Sequence, residues 1–282
     1  MRARADTVYW MVTTMITTSP HLDLERELAV ACRLACEAGA ALIRQRRSES
    51  VARVTRRGLV TTADLISDTI IRDGLAEAFP SDAFRSEHAA DPAGRLGRGR
   101  VWIVDPLDSR TNYIQGGDEF SVSIGLAVDG QATLGAVYNP ARDELVAGLL
   151  SRGVRLNGRP ARASRAAQLH SARLTVGRKS WQRDPDGVGR GLAVIPVASM
   201  AYKLARVAAG MDDGVLSVRR RNVWGTCAGV ALVHAAGGHA TLLDGSPITF
   251  NRADHEQPLG MLAAGPDLHP ILLARLGARH QA

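Results

Sequence analysis

The 282-residue sequence predicts a layered α/β or α+β fold, with helices packed on sheets, on three observations. An early segment carries a helical stripe of apolar residues. A buried strand then leads into a hairpin, and Ala-rich helices alternate with strands in the second half. The segment SPHLDLERELAVACRLACEAGAALIRQRR (19–47) reads as the first helix. Ser19 is placed to cap it, Pro20 suits its first turn, and Leu24, Leu28, Ala31, Leu34, Ala35, Ala38 and Leu42 form the stripe. Arginines crowd its C-terminal end, where the helix dipole favours cations. GLVTTADLISDTIIRDGLAEAF (58–79) gives a short extended piece to Thr62, then a helix from about Asp64 bearing Ile66, Ile70, Leu75 and Phe79, stopped by Pro80. RVWIVDPLD (100–108) is a buried strand ending in a turn. EFSVSIGLAVDGQATLGAVYNP (119–140) is a hairpin, because two strand-like runs flank Asp129-Gly130. ASMAYKLARVAAGMDDG (198–214) and WGTCAGVALVHAAGG (224–238) are Ala-rich helices ending in glycine. The change of pattern near residue 150 divides the chain into a flexible extension (1–20), an N-terminal α+β half (21–150) and a C-terminal α/β half (151–282).

Composition narrows the function classes. Hydrophobic residues make up 45% and charged residues 22%, the profile of an ordinary globular protein. The net charge of +7 is scattered over arginines rather than gathered into a patch, which argues against nucleic-acid polymers as partners. The apolar stretch Val8–Ile16 is too short and too polar to span a bilayer, so no membrane partner is expected. Cys32, Cys36 and Cys227 make neither a disulfide framework nor a four-ligand zinc set, which suits a cytoplasmic protein. Cys32 and Cys36, at helical i, i+4 spacing, read as small core thiols.

The chemistry-bearing stretch is VWIVDPLDSRTNY (101–113), where an apolar run ends on two carboxylates three positions apart. A strand that delivers Asp105 to a turn stiffened by Pro106, with Asp108 beyond, can aim both carboxylates and the Leu107 carbonyl at one point. Such hard oxygen donors suit Mg²⁺. On spacing alone a second account stands beside this one: Asp105 caps the strand and Asp108 makes a turn.

Six motifs in order resemble the inositol monophosphatase superfamily, above all its branch of CysQ-type 3'(2'),5'-bisphosphate nucleotidases. They are LVTTAD (59–64), RSEH (85–88), WIVDPLDSRTNY (102–113), LNGRP (156–160), SMAYKLARVAAG (199–210) and NVWGTCAGVALVHAAGG (222–238). The resemblance implies a layered αβαβα sandwich like that of inositol monophosphatase and fructose-1,6-bisphosphatase. It also implies Mg²⁺-dependent hydrolysis of a phosphate monoester on a small metabolite: a nucleoside, sugar or cyclitol phosphate, or 3'-phosphoadenosine 5'-phosphate. Glu87, Asp105, the Leu107 carbonyl and Asp108 would hold metal, and Asp64 would bind a further metal or orient the attacking water. The turn amides after Asp108, through Ser109, Arg110 and Thr111, would receive phosphate. Ser199 and Lys203 fall where the branch places groups near substrate, and Arg219 to Arg221 precede a substrate-facing segment, with Arg221 nearest to it. A homodimer is plausible for the family.

The sequence departs from the family where the chemistry should be. Ser109-Arg110 replaces Gly-Thr, and arginine has donors but no acceptor, so it cannot take a proton from water. Trp224-Gly225 replaces Trp-Asp, removing a ligand of the second metal, and His88 replaces the second acid of an acidic pair. His88 is open to three readings: ligand, base or surface side chain. Two functional readings follow. Either Arg110 supplies charge that a second Mg²⁺ would have given, which makes it catalytic together with Asp64 and Glu87, or catalysis is lost and the chain binds a phosphorylated ligand or partner.

Overall fold

Five layers, helices alternating with sheets, make up the computed structural model, which describes residues 24–47, 52–55, 58–88, 94–177, 181 and 192–279. The expected Ser19 cap, Pro20, the 1–20 extension and the Val8–Ile16 stretch lie outside the described residues. The first layer is α1 (Glu25–Arg47) and α2 (Thr62–Ala78), joined through the two-stranded ribbon β1 (Ala52–Thr55) and β2 (Gly58–Thr61). The expected apolar stripe of α1 is real: Leu24, Ala31, Leu34, Ala35, Ala38 and Leu42 are buried with Ile71 and Leu75 of α2 against the first sheet. Cys32 and Cys36 are only half-buried on the flank of α1.

That sheet has seven strands in sequence order, β3 (Ala83–Ser86), β4 (Arg100–Asp108), β5 (Ser121–Val128), β6 (Gln131–Asn139), β7 (Glu144–Leu149), β8 (Gly153–Leu156) and β9 (Arg159–Ala161). β3 and β4 are parallel and the other pairs antiparallel. β4 is apolar on both faces because helices cover both, so it reads as a continuous run rather than an alternating one. The β5–β6 turn takes the form Asp-Gly favours, with Asp129 at φ 49° and Gly130 at φ 79°. The sheet runs on to Ala161, past the pattern change near residue 150. Its last two strands are short, polar edge strands that read as loop.

The middle layer is α4 (Met200–Ala208) and α5 (Cys227–Ala235), packed between the first sheet and a second one. That sheet has the order β11 (Ala193–Pro196), β10 (Arg173–Val176), β12 (Gly214–Ser217), β14 (Met261–Ala264), β13 (His239–Leu242), and α6 (Leu268–Arg279) closes its far face. A short helix, α3 (Arg110–Ile114), follows β4. α5 is apolar nearly all round because it is enclosed by both sheets. Two glycines let it approach: a Cβ on Gly135 would come 2.3 Å from the Ala228 carbonyl oxygen, and one on Gly125 would come 2.7 Å from the Ala228 amide nitrogen. The close seat brings the segment before α5, Asn222 to Thr226, against the end of β4.

Candidate active site

On a regular strand, residues three apart face opposite ways. Between β4 and β5 the register shifts: Asp105 pairs with Ser123 and Asp108 with Ser121, so Pro106 and Leu107 together oppose the single residue Val122. This bulge resets the alternation and turns both carboxylates to one side, where they line a cavity of about 90 Å³ with Arg221, Asn222, Trp224 and Gly225. Helix α2 braces the bulge, Ser67 donating to the Pro106 carbonyl at 2.7 Å.

The two carboxylates differ. Asp108 is held by the N-terminus of α4: its Oδ2 accepts from Ser199 Oγ at 2.6 Å and from the Ala201 amide at 2.7 Å. Ser199 is fully buried and caps α4 by accepting from the Tyr202 amide, with Ser121 Oγ 3.0 Å away. It therefore positions Asp108, one of the residues that line the cavity. Asp105 has the Leu107 amide as a weak donor at 3.2 Å. Burial, then Asp108 and Glu87, push its carboxyl well above the ordinary range, against the opposing pull of Arg110 and that amide. A buried carboxylate so crowded by like charge fits a cation.

Arg110 enters beside them. It follows Ser109, which adopts the left-handed backbone (φ 73°) where the family has glycine, and α3 starts there. Its Nε donates to Asp64 Oδ1 at 2.7 Å and its terminal nitrogen to Glu87 Oε2 at 2.9 Å. Asp64 is fully buried, with Oδ2 accepting from the Thr61 amide and hydroxyl at 2.8 and 2.6 Å, and His88 Nε2 stands 3.3 Å from Oδ1. Burial disfavours its charge, but the bonds from His88 and Thr61 and the charge of Arg110 prevail and lower its pKa. Arg110, the amide and hydroxyl of Thr61, and His88 surround the Asp64 carboxylate. Asp64 thus holds Arg110. The Thr-x-x-Asp spacing of the capping box at the start of α2 is the sequence signal for the Thr61–Asp64 contact alone.

His88, open between three readings, lies inside the cluster, with Nε2 3.2 Å from the Arg110 guanidinium. Lys203 is 1% exposed on α4; burial first, then Arg221, depress its ammonium to about 7 while Asp108 and Glu119 favour the charge. Among Arg219 to Arg221 only Arg221 reaches the cavity, anchored by Ser217 Oγ at 2.6 Å, whereas Arg220 pairs with Asp254 and Glu256. Thr111 is exposed in the first turn of α3. Trp224, stacked on His255 with ring centroids 5.6 Å apart, walls the cavity; sequence reading did not single it out as a site residue.

Among the described residues no group of three or more His, Cys, Asp or Glu side chains is placed to hold a metal ion. Mg²⁺ needs none, since it is commonly held by one or two carboxylates, waters and phosphate oxygens. Asp105 and Asp108, with the Leu107 carbonyl within reach of the bulge, suit one such ion. At Gly225 a Cβ would stand 3.6 Å from Asp105 Oδ2, so a carboxylate there would join the same group, and glycine supplies none.

The model for the Inositol monophosphatase family matches residues 23–281. The chain is 33% identical over 267 residues to the 3'-phosphoadenosine 5'-phosphate phosphatase of Mycobacterium leprae, covering 89% of this chain and 94% of that protein. It is 30% identical over 276 residues to an inositol-1-monophosphatase of Synechocystis, covering 92% and 91%. Among solved structures, the inositol monophosphatase of Anabaena superposes with a TM-score of 0.77 at 29% identity over 91% of this chain and 97% of that one. The suhB protein of Bartonella henselae gives 0.78 at 26% identity, over 89% and 98%. Magnesium dependence is general in this group of proteins. Family match, full-length relatives and five-layer fold agree, and the chain belongs to the inositol monophosphatase family, whose enzymes hydrolyse phosphate monoesters.

Proposed function

We propose that this chain is a Mg²⁺-dependent hydrolase of a small phosphate monoester, working in the cytoplasm, with a bisphosphorylated nucleoside such as 3'-phosphoadenosine 5'-phosphate as its preferred substrate. The observation that carries the reading is the meeting, at one cavity, of the Asp105–Asp108 pair with Arg221, with Lys203 buried nearby where the charges of Arg221 and Asp108 act on it. Phosphoryl transfer asks little covalent chemistry of a protein, so placement of charge does most of the work. Asp105 and Asp108 would hold the ion, with Ser199 and the Ala201 amide fixing the rotamer of Asp108. Bound there, Mg²⁺ supplies a Lewis acid that neutralises charge developing on the phosphate oxygens. Arg110, held by Asp64 and Glu87, presents fixed positive charge beside the reacting phosphate, near the turn formed by Ser109 and Thr111. Arg221, with the charge of Lys203 buried nearby, would receive a second phosphate, which favours a bisphosphate over a monophosphate. Cyclitol and sugar monophosphates are the competing substrates.

The test is phosphate release from a panel of inositol, sugar and nucleoside phosphates and 3'-phosphoadenosine 5'-phosphate, with and without Mg²⁺. Asp105→Asn serves as the metal control. Release that needs Mg²⁺ and Asp105 upholds the reading, and its absence across the panel sinks it. A second reading, ligand binding without hydrolysis, is favoured by one observation: Arg110 occupies acceptors of both Asp64 and Glu87. It expects saturable binding of a panel member by calorimetry with no turnover.

A further inference from the structure

The charge inventory of the site is uneven. Asp105 feels the charge of Glu87 and Asp108, while Arg110 bonds two of the site's carboxylates, Asp64 and Glu87. Its guanidinium lies between Asp64 Oδ1 and Glu87 Oε2 at 2.7 and 2.9 Å, only 14% exposed. On the other side of the cluster, Asp105 faces Asp108 and the open backbone of Gly225. The acids therefore form two groups, one already neutralised by the chain and one awaiting a cation.

We propose that Arg110 is a resident second cation of this site, so that the chain binds a single divalent ion, at Asp105 and Asp108. Three features of the chain cooperate in this. The Thr61 amide and hydroxyl fill the far oxygen of Asp64 and fix its near oxygen toward Arg110. The left-handed Ser109 starts α3 so that the side chain of its first residue turns back over the acids. Gly225 leaves out the carboxylate that a further metal would need, where a Cβ would stand 3.6 Å from Asp105 Oδ2. A guanidinium also differs from a metal in kind: it cannot dissociate, it spreads its charge over a plane, and it donates along fixed directions. The site's second positive charge would then be independent of metal concentration.

The inference rests on Asp105 and Asp108 being the cation site, and its test separates the two ideas. Mn²⁺, as a paramagnetic stand-in for Mg²⁺, is titrated into the full chain and bound ions are counted by electron paramagnetic resonance and calorimetry. The native protein and Arg110→Lys are expected to bind one ion per chain, and the pair Arg110→Thr with Gly225→Asp two. Two ions on the native protein, or one on the folded paired variant, would overturn the proposal while leaving the hydrolase reading intact. No bound ion at all would overturn both. The native protein also gives a readout that needs no substitution. The ¹⁵Nε signal of Arg110 is expected to stay in its hydrogen-bonded position at saturating Mg²⁺, and its release on metal binding would defeat the proposal.

Discussion

Lys203 shows at the scale of one residue what the site asks of the fold. An ammonium with 1% exposure, brought from 10.5 to about 7, opposes folding by roughly 5 kcal/mol while it is charged. The sign follows from linkage: the native state binds fewer protons than the unfolded chain between about 7 and 10.5, so stability rises with pH across that window. Lys203→Met is expected to raise stability to urea by roughly 2–4 kcal/mol at pH 6, with a smaller gain at pH 9. The same variant should lose affinity for a bisphosphate, since a charged Lys203 is what an anion would use. Equal stability of the two proteins at pH 6 would contradict this account. Ser109 is a second strained residue. Its φ of 73° suits glycine, and Ser109→Gly should add about 0.5–1 kcal/mol in the same denaturation measurement.

At the scale of elements, α5 and the end of β4 are one construction. Gly125 and Gly135 admit the helix to the sheet, and the segment before it carries Trp224 and Gly225 to Asp105. Gly135→Ala places a methyl group 2.3 Å from the Ala228 carbonyl oxygen, a backbone atom that can retreat only with the helix. The variant should lose about 2–3 kcal/mol of stability, and metal affinity should fall with it because the cavity wall moves. Unchanged calorimetric affinity in the folded variant would uncouple the helix seat from the site. Elements were the most legible level of the sequence. The stripe of α1, the uninterrupted apolar run of β4 and the Asp129-Gly130 hairpin each follow from periodicity or turn chemistry, which are local. What stayed hidden is what depends on partners distant in the chain. Arg110 was legible as a departure, but its grip on Asp64 and Glu87 required α2, β3 and α3 to meet. The bond from Ser199 to Asp108 likewise depends on α4 packing against the end of β4. His88 could not be assigned for the same reason.

For the whole molecule, the layers bring the acidic end of β4 under the N-terminus of α4, so the first sheet and the middle helices share the site. An ion bound there ties the two together and should stabilise the entire fold by mass action, by about 2.7 kcal/mol at a hundredfold excess over its dissociation constant. Mg²⁺ is therefore expected to raise the melting temperature of the native protein. Asp105→Asn, which removes a crowded buried carboxylate, should melt higher than the native protein without Mg²⁺ and gain nothing from its addition. A melting temperature indifferent to Mg²⁺ in the native protein would place the ion elsewhere.

The bulge at Pro106 and Leu107 carries a consequence for variation along the chain. Between Asp105 and Asp108 the fold constrains a count more than a composition. Apolar replacements of Leu107 keep the tally of two residues against one and leave both acids on the cavity side. Loss of a single residue from this interval would restore regular pairing, and the gain of one would break it differently. Substitutions can drift through the segment, while loss of one residue would keep the two acids on one face, two positions apart, and remove the bulge that spaces them.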